Sequence, residues 1–176
     1  MGNQRTNILF IVIGSLAAVL LQVIVAPNIA IRGVVPNCVL VFSVVIAIYN
    51  NRTLSCSLGF VLGIVFDLLS SGPIGVMPLV LCVLAYSVSS LNKDMFSGGW
   101  VVEVLLLLVA SLLGELLYGA LLNIVGYDIH FANSLINRIL PSAVFDAAFG
   151  LVVFPLLNRF SQQQRKEIPT LKGKLR

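Results

Sequence analysis

The sequence predicts an all-α, polytopic membrane protein with six transmembrane helices. Of 176 residues, 59% are apolar and 10% charged, against roughly 45–50% and roughly 25% in a soluble domain. Mean hydropathy is +1.03. Too little polar material remains to build a water-facing surface, so lipid is the solvent for most of the chain. The apolar residues also fall into six runs punctuated by Pro, Gly, Asn and charge. No polar stretch is long enough for a separate soluble domain. One bundle over residues 1–157 and a basic tail over 158–176 account for the chain.

The first run, 8–26, follows Arg5 and ends without a small-x-small cleavage site, so it reads as a retained span. The second and third, 34–49 and 54–69, have 16 residues each. At about 1.5 Å per residue they reach about 24 Å, short of a roughly 30 Å hydrocarbon core. They are either tilted neighbours or a hairpin that does not fully cross. Runs 74–91, 100–125 and 139–157 complete the six.

The second span opens with Arg32-Gly33-Val34-Val35-Pro36-Asn37. Pro36 suits a first helical turn, where its missing N–H is harmless, and Asn37 can bond freed backbone groups. In the third span Ser55, Gly59, Gly63, Asp67 and Ser71 recur every four residues, a narrow small-residue stripe on one helix face. Such a face admits another helix closely, either inside the bundle or from a partner. Ser70-Ser71-Gly72-Pro73-Ile74-Gly75 then forms a tight turn, with Gly72 supplying permissive dihedrals and Pro73 suiting the next helix's first turn. Asp67 beside it can cap that helix, pair with Arg32 or carry a transported proton or ion.

Orientation follows from the cations. With the N-terminus inside, nine Lys and Arg lie on the cytoplasmic side and only Arg32 and Arg138 outside, so both termini are expected in the cytoplasm. Six of the nine sit in the tail, which fixes topology and lies on anionic lipid, or touches a cytoplasmic filament. A single short basic tail does not make a nucleic-acid surface. Trp100, Tyr49 and Tyr86 stand near span ends, where aromatic residues mark the interface. Cys38, Cys56 and Cys82 lie in apolar runs without CxxC pairing and read as small packing residues.

The block Arg32–Asn37, Asn51-Arg52, the string Gly59-x-x-x-Gly63-x-x-x-Asp67-x-x-Ser70-x-Gly72-Pro73-x-Gly75, and Ala85-Tyr86 together resemble the MreD family of bacterial rod shape-determining membrane proteins. The resemblance covers residues 32–86, about a third of the chain. It implies a non-enzymatic subunit of the cell-elongation machinery in the cytoplasmic membrane. Such a subunit binds MreC and helps couple MreB filaments to the peptidoglycan synthases RodA and a class B penicillin-binding protein. It points to Arg32, Pro36, Asn37, Gly59, Gly63, Asp67, Gly72, Pro73 and Gly75 as structural or partner-binding residues. The family is also similar in helix architecture to the S components of energy-coupling-factor transporters, which makes a small-molecule-binding membrane subunit the rival reading.

For that rival the relevant residues are Glu115 and Asp146, placed by helical rise about 15 Å and about 12 Å below the outer boundary. Two carboxyls at matching depth serve either as a proton or ligand site, or as buried hydrogen bonds holding helices five and six in register. Gln22 and Asn123 add polar groups toward the same end. Glu103 can snorkel to the inner boundary. The outer loops carry few of the converging aromatic and polar residues that a vitamin pocket needs. Catalysis finds little support: the single histidine, His130, lies in a loop, and no Gly-x-Ser-x-Gly, HExxH or phosphate-binding loop occurs. No cofactor or metal is expected.

Overall fold

A computed structural model describes residues 2–30, 34–70, 72–95, 100–127 and 140–151, excepting the side chains of 2–7, 92–95, 100 and 103. All regular structure among them is helical: α1 Gly2–Leu20, α2 Cys38–Tyr49, α3 Arg52–Leu69, α4 Val76–Met95, α5 Trp100–Ile124 and α6 Leu140–Leu151. A π-helical turn, Leu21–Val25, and a 3-10 turn, Ala26–Ile29, extend α1. Segments Ile8–Ile29, Arg52–Leu69 and Val104–Ile124 are long and apolar enough to cross a membrane, while Cys38–Tyr49, Val76–Leu91 and Leu140–Leu151 are shorter apolar helices. The tail from 158 and the expected end of the sixth span, 152–157, lie outside the described residues.

α2 is the centre of the bundle. Every residue from Cys38 to Ile48 is buried, and α1, α3, α4 and α5 all pack against it. A helix whose only strongly polar side chain is one serine, Ser43, has no face for water, and burial on every side is the arrangement that suits it. Gly14 of α1 lies under the Phe42 ring, Gly114 of α5 faces Leu40 and Leu84, and Gly150 of α6 faces Leu107 and Val41. At each of these glycines a Cβ would press into the facing side chain, so the absent methyl sets the helix separation.

α2 begins at Cys38, four residues later than the sequence suggests, and its 12 residues reach only about 18 Å. The reason is local. Residues 35–37 are non-helical, with Pro36 and Asn37 buried, so the chain enters the bundle extended and starts its helix inside. Pro36 therefore precedes the N-cap, Asn37, instead of standing in the first turn; the residue before a proline avoids helical geometry, but the proline itself does not oblige a helix to begin. Pro73 likewise lies ahead of α4, and Pro78 occupies that helix's first turn.

The turn between α3 and α4 corrects a second expectation. The residue in left-handed geometry is Gly75, at φ +108°, not Gly72. A position on Gly72 suited to a Cβ lies 3.1 Å from the Tyr118 hydroxyl, so what is special there is proximity to α5. At the far end of α5, Gly126 at φ +99° lets the Tyr127 N–H donate to the Leu122 carbonyl and close the helix.

The cysteine expectation is corrected in part. Cys56 of α3 and Cys82 of α4 are joined across their seam, with Cα atoms 4.4 Å apart, while Cys38 is a buried free thiol. The two glycines of α3 draw these helices together, and that approach brings both cysteines opposite one another.

Candidate functional site

The small-residue stripe of α3 is buried at Ser55, Gly59, Gly63 and Asp67, and α4 is what covers it. A Cβ on Gly59 would lie 2.8 Å from the Leu81 carbonyl oxygen, and one on Gly63 would overlap the Pro78 backbone. The obstacle is backbone in both cases, which cannot rotate away. The face is thus occupied within the chain.

At the head of the stripe Asp67 is 2% exposed. Its Oδ2 accepts from the Gly75 N–H at 2.7 Å and the Met77 N–H at 3.3 Å. Gly75 precedes α4 and has no side chain with which to cap it, so the preceding helix supplies the acceptor. A carboxylate at a helix N-terminus satisfies donors that have no intrahelical partner and meets the positive end of the dipole.

The N-terminus of α2 receives the same treatment from α6, from the turn after α1 and from its own N-cap residue. The Asn37 N–H donates to Asp146 Oδ1 of α6 at 2.6 Å, the Cys38 N–H to Gln22 Oε1 at 2.7 Å, and the Leu40 N–H to Asn37 Oδ1 at 3.1 Å. Gln22 stands in the π-helical turn that follows α1. Asp146 is 0% exposed, and Glu115 of α5 lies within electrostatic reach of it. An unpaired N–H in lipid costs several kcal/mol, which is why a helix can start inside the bundle only where such acceptors converge.

The structure therefore assembles two polar centres from the residues singled out in the sequence. Asp67 and Gly75 meet at the first, with Gly72 and Pro73 in the turn beside them. Asn37, Gln22 and Asp146 meet at the second, with Glu115 within electrostatic reach of Asp146. Arg32 lies in 31–33 and Arg138 and His130 in 128–139, outside the described residues, as does Ser71. Asn123 is exposed near the end of α5. Sequence reasoning missed Pro78, Gly114, Gly150 and Ser111. Gly150 stands four residues after Asp146 and Gly114 one before Glu115, a small-residue signal that low-complexity apolar runs conceal. Among the described residues no group of three or more His, Cys, Asp or Glu converges to hold a metal ion.

Long apolar helices around a buried, almost wholly apolar central helix, tied by carboxylates that cap their neighbours, define an α-helical integral membrane protein. The family is shown by sequence: the model of the rod shape-determining protein MreD matches residues 3–164, nearly the whole chain, and the chain belongs to that family. No curated protein and no solved structure matches the chain.

Proposed function

We propose that this rod shape-determining membrane protein is a non-enzymatic scaffold of the cell-elongation machinery. In this reading it resides in the bacterial cytoplasmic membrane with six spans and both termini in the cytoplasm. There it binds the single-span protein MreC and helps couple MreB filaments to RodA and a class B penicillin-binding protein. The family match over residues 3–164 is the observation that carries the reading. The excess of cations in the tail and inner loops supports the orientation.

Because the Gly59/Gly63 face is filled by α4, the helix surfaces left for a partner are the exposed ones. α1 carries one of these, through Ile8, Leu9, Val12, Ile13, Leu16 and Leu20. Affinity purification in mild detergent from native membranes, with mass spectrometry of proteins and small molecules, tests the assignment. A co-purifying single-span protein with a large outer domain, together with elongation synthases, is the expected result. A bound metabolite with ATPase subunits would replace the scaffold with the transporter-type binder.

A further inference from the structure

The Cys56–Cys82 pair meets no need that capping or packing leaves open. On one side of it the α3–α4 seam is closed by backbone contact at Gly59 and Gly63, and beyond them by Asp67 on the Gly75 and Met77 N–H groups. On the other side the Ser89 hydroxyl donates to the Asn50 carbonyl at 2.7 Å and ties α4 to the end of α2. The packing thus sets the two cysteines opposite one another, with Cα atoms 4.4 Å apart, a span that a disulfide crosses without backbone movement. A covalent link that the packing does not require is one whose making and breaking the fold tolerates.

The pair also lies at the rim of the seam. Cys56 and Cys82 are half-buried, whereas Cys38 is 1% exposed. Falling α3 numbers meet rising α4 numbers, with Gly63 on Pro78, Gly59 on Leu81 and Cys56 on Cys82, so these two helices are antiparallel. One turn onward from each cysteine therefore leads in opposite directions along the seam. One turn beyond Cys56 stands Phe60, 50% exposed, and one turn beyond Cys82 stands Tyr86, 52% exposed. An aromatic ring flanks the sulphurs on either side. Leu79 and Val83 of α4, both exposed, make the rest of this outward surface apolar. A reagent that reaches the pair from there is one that dissolves in lipid.

We propose that this rim is a site for the ring of a membrane quinone, which oxidises the Cys56 and Cys82 thiols and so closes the α3–α4 seam covalently. A planar quinone stacks on exposed aromatic faces, the Tyr86 hydroxyl is a donor suited to a quinone carbonyl, and the quinone's apolar tail stays in lipid. Two S–H bonds break and one S–S bond forms. Two electrons and two protons pass to the quinone, which leaves as the quinol. The thiols return by exchange with an external thiol reductant, two of whose thiols become one disulfide as the protein's bond opens. One quinone closes one seam, and the oxidation state fixes whether α3 and α4 are tied by packing alone or by packing and a covalent bond.

The test uses the full-length protein, reduced, freed of reductant under argon and placed in lipid nanodiscs with or without decylubiquinone. Alkylation after denaturation, followed by intact mass, counts the thiols, and ultraviolet absorbance follows quinone to quinol. The expected result is a fall from three alkylated thiols to one, Cys38, with about one quinol formed per chain. Without quinone all three thiols persist. Cys56→Ser and Cys82→Ser are expected to form no quinol. Wild-type protein closed beforehand with diamide also forms none, a control that needs no variant. Phe60→Leu and Tyr86→Leu are expected to slow quinol formation roughly two- to tenfold below quinone saturation, while oxidation by diamide keeps its rate. A thiol count that stays at three in the presence of quinone overturns the proposal. So does quinol formed equally by C56S or by protein already closed, and so do equal rates in F60L, Y86L and the wild type, which would mean that the quinone meets no shaped site.

Discussion

Asp67 and Asp146 do the same physical work in different places. Each reaches from its own helix to accept from free N–H groups at the start of another. Asp67→Ala strands the Gly75 and Met77 N–H groups, and we expect a loss of about 1–3 kcal/mol. Asp67→Asn retains an acceptor and should lose less than about 1 kcal/mol. Thermal unfolding in detergent, comparing the two variants, checks the ordering; equal losses would mean that charge, not acceptance, is what α4 requires. Gly75 poses a different problem, since open space surrounds its missing Cβ. Gly75→Ala therefore tests backbone strain alone, and φ +108° should cost about 1–2 kcal/mol in the same assay.

At the scale of elements, α3 and α4 form the closest pair because glycine removes side-chain bulk where the opposing backbone passes. Gly63→Ala places a methyl group against the Pro78 backbone, and we expect at least about 1–3 kcal/mol of destabilisation from overpacking. Chemical unfolding in mixed micelles measures it. Near-wild-type stability would show that the seam opens without cost, and would return this face to the list of partner contacts. The stripe itself was legible in the sequence, because spacing by four is a property of one helix. What lay across it was not, because opposing backbone atoms belong to a helix whose register depends on the intervening turn. The same limit explains why Cys56 and Cys82 read as separate packing residues: they are 26 residues apart, and nothing local links them.

Across the whole molecule, burial divides the helices by role. α2 lies inside, and α1 lies mostly outside against whatever surrounds the bundle. Leu40→Ala, at a side chain 1% exposed and packed on Gly114, should cost about 2–5 kcal/mol. Leu16→Ala, at 61% exposure, should stay within about 0.5 kcal/mol in detergent. Unfolding midpoints of the two variants test the division, and a large loss at Leu16 would mean that α1 packs more tightly than its exposure indicates. Reporter fusions at both termini are expected to give cytoplasmic signals, as the distribution of Lys and Arg dictates; a translocated C-terminus would require an odd number of crossings.

By itself the sequence determined the solvent, the number of apolar segments, the small-residue face of α3 and the family resemblance carried by residues 32–86. All of these are readable from composition or from spacing within one segment, and the family match over nearly the whole chain agrees with the last. The tertiary structure decided that α2 starts late and inside the bundle, that α4 covers the glycine face, and that Asp146 reaches Asn37 across 109 residues. Helix starts in lipid are set by where acceptors for free N–H groups converge. For α2 those acceptors come from α6 and from the turn after α1, so no window along the chain contains them.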